Sequence, residues 1–292
     1  TEGAQKRFLK NTFRQYLSPE YIEQLIAHPE RVKLGGERRT LSIFFSDLQG
    51  FTGISEGLTP EELTALLNEY LSAMTDILQE EGGTVDKYIG DAIVAFWNAP
   101  IEQPDHAERA ARAALRCQEK LAEMRPLLRE RFGKDLFMRI GLNTGSAVVG
   151  NMGSRTRFDY TVLGDAVNLA SRLEGINKQF GTYILASEAL RERLPESVPA
   201  REVSRVAVVG RKEPVRAFEL LGGKEAAARG KELALFAEGL RAFTGGNFPA
   251  ALETFLATAE ADPPAAAYAR KCRALIEQPP QRWEGVWVMT EK

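Results

Sequence analysis

The chain has 292 residues, which is enough for one substantial core and a smaller second unit, and its 38 basic and 40 acidic residues give no electrostatic basis for binding nucleic acid. The two cysteines, Cys117 and Cys272, are far apart and the chain has only two histidines, which argues against a disulfide framework or a zinc site and predicts a reduced, intracellular protein. The sequence contains neither a signal peptide nor a run of about 18 apolar residues, so we expect a soluble chain.

Residues 1–39 are predicted to form an N-terminal linker and dimerisation helix. Residues 18–20, Ser-Pro-Glu, are typical of a helix start. An apolar stripe at helical spacing follows at Tyr21, Ile22, Leu25 and Ile26.

From Thr40 onward the pattern alternates between strands and helices. Two strand-like segments, residues 40–47 and 84–91, each end on an aspartate, Asp47 and Asp91. An isolated aspartate at a strand end usually caps a turn. Two of them at one edge of a sheet form the kind of carboxylate pair that binds Mg²⁺ on a nucleoside triphosphate.

The elements between and after these strands are predicted from their caps and periodicity. Residues 59–62, Thr-Pro-Glu-Glu, form a capping box for a helix that ends at residues 82–83, Gly-Gly. A second helix is predicted to begin at Asp105 with Glu108 as its capping partner. Further strands are predicted over 137–143, 147–150, 159–163, 183–186, 203–209 and 215–221, with a helix over 165–177 and a short helix after Ser187.

The composition changes to alanine-rich helix after residue 222. Two apolar helical stretches separated by residues 245–247, Gly-Gly-Asn, and ended by residues 262–264, Asp-Pro-Pro, predict one tetratricopeptide-like hairpin over 223–292. Because such repeats normally need three or more copies, a single hairpin is expected to pack on the main domain or on a partner. The apolar ending, residues 283–291, is expected to fold back.

A third pattern lies on the predicted helix over 165–177. Asn168 and Arg172 are four residues apart, so their side chains share one face of the helix. Such a pair alone is usually structural or solvated. It becomes specific when it is combined with Asp47, Asp91 and Lys87.

Together the three motifs resemble the catalytic domain of class III nucleotidyl cyclases. They are residues 45–52 (FSDLQGFT), 86–91 (DKYIGD) and 160–172 (YTVLGDAVNLASR), and the resemblance covers residues 38–221. It implies an α+β fold, with a ferredoxin-like mixed sheet and packed helices over 40–222. The lead-in and tail resemble bacterial cyclases that are joined to an upstream membrane-bound sensor, and the pair Lys87 and Thr161 resembles the class IIIb type of adenylate cyclase. We therefore expect the cytoplasmic part of a longer protein, attached to a membrane only through a segment outside this chain.

The resemblance assigns roles to the residues of the first two motifs. Asp47 and Asp91, with the Leu48 carbonyl, would hold two Mg²⁺ or Mn²⁺ ions. The turn at Phe51 and Thr52 would offer backbone N–H groups to the β- and γ-phosphates.

The third motif would complete the chemistry. Asn168 would position the ribose, and Arg172 would stabilise charge that develops on the α-phosphorus during in-line attack by the ribose 3′-hydroxyl. The products would be 3′,5′-cyclic AMP and pyrophosphate.

Lys87 and Thr161 fall where the family reads the base. Lysine donates to adenine N1 and threonine accepts from the exocyclic amine, whereas guanine presents the opposite groups, so ATP is favoured over GTP. The threonine form also marks a subgroup described as bicarbonate-responsive, which makes bicarbonate a candidate activator.

The chain departs from the family pattern in one turn. The lysine expected to bind the terminal phosphates is replaced by Val209 in residues 208–212, VVGRK. Arg211, Lys212 or Arg157 remain alternatives for that role. A missing clamp would raise KM for ATP more than it would reduce turnover.

In this family the site spans a head-to-tail homodimer. The metal aspartates come from one subunit, and Lys87, Thr161, Asn168 and Arg172 come from the other.

Two alternatives to an adenylate cyclase remain. A diguanylate cyclase is disfavoured because the chain lacks a Gly-Gly-Asp/Glu-Glu-Phe turn, and a non-catalytic module that binds nucleotide or bicarbonate is disfavoured by the intact residue set.

Overall fold

The computed structural model describes residue 22 and residues 26–28, 34–207 and 213–289. Most of the predicted N-terminal helix and the turn over 208–212 lie outside these residues, and so do Val209, Arg211 and Lys212.

A mixed sheet forms the centre of the molecule, and the described residues contribute nine strands to it. Across the sheet, neighbouring pairs are antiparallel except for two. The strands are β1 (Gly35–Leu48), β2 (Thr84–Ile89), β3 (Ala92–Trp97), β4 (Met138–Gly153), β5 (Phe158–Leu163), β6 (Ile184–Ser187), β7 (Ala200–Ala207), β8 (Val215–Leu220) and β9 (Trp287–Val288). The order is β2-β3-β1-β4-β6-β8-β7-β9, β5 pairs with β4, and the parallel pairs are β4 with β6 and β7 with β9.

The predicted and observed strands differ most at β1 and β4. Strand β1 begins at Gly35 rather than Thr40, and the two strands predicted over 137–143 and 147–150 are one continuous strand, β4. The reason is a long antiparallel ladder between β1 and β4. It runs without interruption from the pair Gly35 and Asn151 to the pair Leu48 and Met138.

Nine helices of the described residues surround the sheet, and together the elements confirm the predicted α+β class. They are α1 (Phe51–Glu56), α2 (Pro60–Glu80), α3 (His106–Phe132), α4 (Asp165–Phe180), α5 (Glu188–Arg191), α6 (Gly223–Ala228), α7 (Gly230–Thr244), α8 (Phe248–Leu256) and α9 (Pro263–Glu277). None of these helices combines the length and the apolar composition that are needed to cross a membrane.

The two predicted helix caps have different outcomes. At α2 the capping box is present, because Thr59 Oγ1 accepts from the Glu62 backbone N–H at 3.2 Å and Glu62 Oε2 accepts from the Thr59 N–H at 2.9 Å. At α3 the predicted start is confirmed, because Asp105 is the N-cap residue, but the predicted capping box is wrong, since Asp105 makes no side-chain cap. Its φ of −96° and ψ of 22° differ from the extended conformation usual for a capping residue, and its Oδ1 accepts from Arg109 Nε at 2.7 Å.

Helices cover both faces of the sheet. Helices α2 and α3 pack on the face that carries Phe44, and α4 packs on the opposite face, which carries Ile43. The approach of α4 depends on Gly141 of β4, where an added Cβ would lie 2.0 Å from the Ala170 carbonyl oxygen. Glycine at this position therefore sets how closely the helix with Asn168 and Arg172 lies on the sheet.

The C-terminal helices pack against the end of α4 and against β7. The Phe180 ring at the end of α4 stacks on Tyr268 of α9, and the Tyr268 hydroxyl donates to the Val203 carbonyl at 2.8 Å. Residues 262–264, expected to be a break, are the start of α9. The likeness to a tetratricopeptide hairpin and the domain boundaries at residues 40 and 223 stay predictions.

Candidate active site

The structure brings Asp47 and Asp91 together beside the end of β1. Asp47 is the last but one residue of β1, and Asp91 follows Gly90, whose positive φ of 65° makes the tight turn between β2 and β3. The Leu48 backbone N–H donates to Asp91 Oδ2 at 2.8 Å, which fixes the turn against the strand end.

Negative charge is concentrated at this point. Burial, followed by the neighbouring Asp91 carboxylate and the charge of Glu174, raises the pKa of Asp47 to about 7. The pKa of Glu174 is also raised to about 7, mainly by burial, and Arg139 opposes this shift. The charges of Asp91 and Glu174 therefore disfavour ionisation of Asp47, and a bound cation would relieve that cost.

The donor set fits a hard divalent cation. The two aspartates and the Leu48 carbonyl offer the oxygen ligands that Mg²⁺ and Mn²⁺ prefer. Within the described ranges, no three or more His, Cys, Asp and Glu side chains are arranged to hold a metal ion by themselves. The remaining ligands would have to be water or substrate phosphate, as is usual for magnesium at nucleotide sites.

The predicted phosphate turn is the start of a short helix. Gly50 has φ 69° and ψ 26°, and Phe51 and Thr52 form the first turn of α1, where backbone N–H groups have no partner within the helix. Arg157, an alternative for the phosphate clamp, is exposed in the turn between β4 and β5, where its carbonyl accepts from the Ser154 N–H at 2.7 Å.

Lys87 and Thr161 lie on either side of a residue that the sequence analysis did not single out, Asp86. The Thr161 hydroxyl donates to Asp86 Oδ2 at 2.7 Å, and the Lys87 ammonium lies 3.7 Å from Asp86 Oδ1. The only signal in the sequence was its place immediately before Lys87 in the second motif.

Helix α4 presents different residues on its two sides. Glu174 lies close enough to Asp47 and Asp91 for their charges to interact. Arg172 is two positions earlier, about 200° around the helix, and Asn168 shares its side. The two residues are thus directed away from the aspartate pair of their own chain.

Arg172 also has unused hydrogen-bonding capacity. Its Nη1 atom is buried and has no hydrogen-bond partner among the residues that the structure describes. Asn168 is exposed. Asn168 is therefore accessible to a ligand or a second subunit, and Arg172 keeps an unused donor. Glu174 was missed by the sequence analysis, and no pattern in the sequence marks it apart from its place two residues after Arg172.

Comparison with known proteins identifies the family. A model described as the adenylate and guanylate cyclase catalytic domain matches residues 36–222. Adenylate cyclase 1 of Rhizobium meliloti (strain 1021) is 37% identical over 214 residues, which are 72% of this chain and 32% of that protein. The solved adenylyl cyclase CyaB from P. aeruginosa is 36% identical with a TM-score of 0.61, over 65% of this chain and 97% of that chain. The guanylyl cyclase Cya2 is 38% identical with a TM-score of 0.58, over 65% and 95%.

The chain belongs to the family of adenylate and guanylate cyclase catalytic domains. An adenylyl cyclase and a guanylyl cyclase resemble it to a similar degree, so overall similarity does not decide which base it reads.

Proposed function

We propose that this chain is an adenylate cyclase that converts ATP to 3′,5′-cyclic AMP and pyrophosphate. The observation that carries the proposal is the pairing of Asp47 with Asp91, held by the Leu48 hydrogen bond, in a chain of the cyclase family. Lys87 and Thr161 favour adenine, because an ammonium donor and a hydroxyl acceptor complement adenine N1 and its amino group.

Asp47, Asp91 and the Leu48 carbonyl would hold two Mg²⁺ or Mn²⁺ ions. When bound, such ions lower the pKa of the attacking hydroxyl and neutralise charge on the leaving pyrophosphate. The raised pKa of Asp47 supports this role, because burial and then the neighbouring Asp91 carboxylate disfavour its charged form, a cost that a bound cation would offset.

The other residues bind and orient the substrate. The N–H groups of Phe51 and Thr52 would bind the β- and γ-phosphates, and Arg157 is the described candidate for further contact with them. Asn168 would hold the ribose so that its 3′-oxygen lies in line with the α-phosphorus. As the new O–P bond forms and the bond to the β-phosphate oxygen breaks, Arg172 would stabilise the charge on the α-phosphoryl oxygens.

We further infer that the site is shared between two subunits of a head-to-tail homodimer. Support comes from α4, where Glu174 faces the chain's own aspartate pair and Arg172 leaves from the other side. A symmetric dimer would place Lys87, Thr161, Asn168 and Arg172 opposite the partner's aspartates and would contain two equivalent sites.

Thr161 also makes bicarbonate a candidate activator. We assign the chain to the cytoplasmic catalytic part of a bacterial signalling protein of class IIIb type.

The direct test is product formation. Purified protein is incubated with ATP and either Mn²⁺ or Mg²⁺, and the nucleotides are separated by chromatography. We expect cyclic AMP and pyrophosphate in equal amounts. Nucleotide binding without any cyclic product would instead indicate a non-catalytic module, and cyclic di-GMP formed from GTP would indicate the diguanylate cyclase alternative.

A further inference from the structure

Asp86 occupies an irregular position in the sheet. In the ladder between β2 and β3, Val85 pairs with Ala95 and Lys87 pairs with Val94, so Asp86 is the extra residue of a bulge. A bulge turns a side chain away from the direction that regular alternation would give it. Here the side chain of Asp86 is only 2% exposed and reaches Thr161 of β5.

The carboxylate of Asp86 is incompletely satisfied. Oδ2 accepts from the Thr161 hydroxyl at 2.7 Å and, at 3.5 Å, from the Val162 N–H. Oδ1 is buried and has no hydrogen-bond partner in the described part of the chain, and Lys87 Nζ lies 3.7 Å from it. Burial raises the pKa of Asp86, and the Thr161 hydrogen bond and the Lys87 charge oppose that shift. A buried carboxylate with so few partners is costly when its role is structural alone.

A threonine hydroxyl has one proton to donate and two lone pairs that accept. An ionised carboxylate only accepts, so the contact between Asp86 and Thr161 uses the single hydroxyl proton. What Thr161 can offer to a third group is then an acceptor. The 6-amino group of adenine donates to such an oxygen, whereas the O6 atom of guanine meets lone pairs and is repelled.

We propose that Asp86 is a positioning residue for base selection, which orients the Thr161 hydroxyl as an obligate acceptor for the 6-amino group of adenine. This inference rests on the proposed function, in which Thr161 contacts the base. The same carboxylate lies 3.7 Å from the Lys87 ammonium, so one residue contacts both of the proposed base-reading groups.

The test compares ATP with purine riboside 5′-triphosphate, which keeps N1 but lacks the 6-amino group. For wild type we expect kcat/KM to favour ATP by about fivefold, as one neutral hydrogen bond would give. Asp86→Leu removes the acceptor and should bring this ratio to nearly one. Asp86→Asn keeps a carbonyl oxygen for the Thr161 hydroxyl and should retain most of the preference.

Thr161→Val provides the coupling control. It should also bring the ratio to nearly one, and adding Asp86→Leu to it should change the ratio no further. The inference is overturned if Asp86→Leu lowers kcat/KM equally for both nucleotides, or if it changes the ratio when Thr161 is already valine. Melting temperature and dimer content check folding, and Asp86→Ala replaces the leucine variant if that variant does not fold.

A binding measurement separates this inference from the proposed function. The 3′-deoxy forms of the two nucleotides lack the attacking hydroxyl, and their Kd values with Mg²⁺ are measured by calorimetry. If wild type makes no cyclic AMP, the proposed function fails, and the Kd ratio still reports on Asp86. Equal Kd ratios for wild type and Asp86→Leu would overturn the role of Asp86 even when ATP is cyclised normally.

Discussion

The Leu48 backbone N–H donates to Asp91 Oδ2 at 2.8 Å, and this hydrogen bond ties the end of β1 to the turn between β2 and β3. Asp91 therefore combines a structural contact with its proposed metal role. Asp47 lies beside it, and burial outweighs its own interaction with the Leu48 backbone, so its pKa is raised. The two aspartates should respond differently to substitution.

Asp47→Ala and Asp91→Ala should each reduce kcat by more than tenfold, a cost above ~1.4 kcal/mol, because each removes a proposed metal ligand. Asp91→Ala should also lower the free energy of unfolding, by about 1–3 kcal/mol, since it removes the acceptor of the 2.8 Å hydrogen bond from the Leu48 N–H. Asp47→Ala should not, because burial already disfavours the charged form of Asp47. Asp91→Asn is the matched control, because its amide oxygen can still accept from Leu48. It should be nearly as stable as wild type and inactive. If a variant at either position keeps a normal kcat, the residue at that position is not a metal ligand.

The stability of the metal-free protein should depend on pH through Asp47. Its pKa is about 7 in the folded chain, against an ordinary value of 3.8, so the folded state holds the proton more tightly. The associated stability is fully present below pH 3.8 and is lost as the pH rises through 7. In EDTA without nucleotide, Asp47→Asn should melt above wild type at pH 8, and the difference should shrink toward pH 4.

Two controls accompany this measurement. Adding Mg²⁺ should narrow the difference at pH 8, because the cation stabilises the ionised pair in wild type. Asp76→Asn, the same chemical change at an exposed position on α2, should show no comparable pH dependence. A melting difference for Asp47→Asn that is constant from pH 4 to pH 8 would contradict the raised pKa.

Base selection is expected to follow Lys87 and Thr161. ATP should be cyclised at least tenfold better than GTP, about 1.4 kcal/mol of discrimination, because guanine leaves both side chains mispaired. The double change Lys87→Glu and Thr161→Cys should erode this preference, since glutamate can accept from guanine N1. Similar kcat/KM values of wild type for the two nucleotides would contradict the assignment. The single variant Lys87→Glu shows how much of the loss of ATP preference comes from that position.

The candidate site was predictable from sequence where it depends on local pattern. Asp47 and Asp91 each end a strand-like run of the sequence, and the capping box at Thr59 depends only on four consecutive residues. Asp86 was not predictable, because its direction comes from a bulge that exists only once β2 pairs with β3. Glu174 gains its raised pKa from burial, which requires α4 to lie closely against the sheet. Asp86 and Glu174 were therefore not predictable from the motifs, because their positions depend on tertiary contacts.

The helical segment after residue 222 should be needed for stability through Asp262. Its carboxylate is fully buried and accepts two hydrogen bonds from Arg201 of β7, both at 2.7 Å, and one from Arg229 at 2.9 Å. Asp262→Ala should cost about 3–5 kcal/mol, because it leaves a buried arginine short of a partner.

The matched control is Glu225→Ala, which removes a half-exposed partner of Arg229. Exposed ion pairs contribute little, so its cost should stay below about 1 kcal/mol. Urea denaturation at equal salt measures both variants. Equal costs would mean that the contact between the helical segment and the sheet does not depend on the buried pair.

Mixing two inactive variants tests the shared site. Asp47→Ala removes a metal ligand and Arg172→Ala removes the proposed transition-state arginine, so each homodimer should be nearly inactive. In a heterodimer the two lesions fall in one site and the other site is intact, if each site takes its aspartates from one subunit and its arginine from the other. Random exchange puts half of the dimers in this form, so activity should recover to about a quarter of wild type.

The control is a mixture of Asp47→Ala with Asp91→Ala, in which every site still lacks one of its two carboxylates. That mixture should stay inactive although its subunits exchange equally well, and pull-down of a tag on one variant measures exchange in both mixtures. If the first mixture exchanges without recovery, each site is built within one chain. In that case the Arg172 side chain would have to turn around α4 to reach Asp47 of the same chain. It would then lie on the side of the helix where Glu174 lies close to Asp47. Recovery confined to the mixture with Arg172→Ala would place the arginine and the aspartates of each site on different subunits.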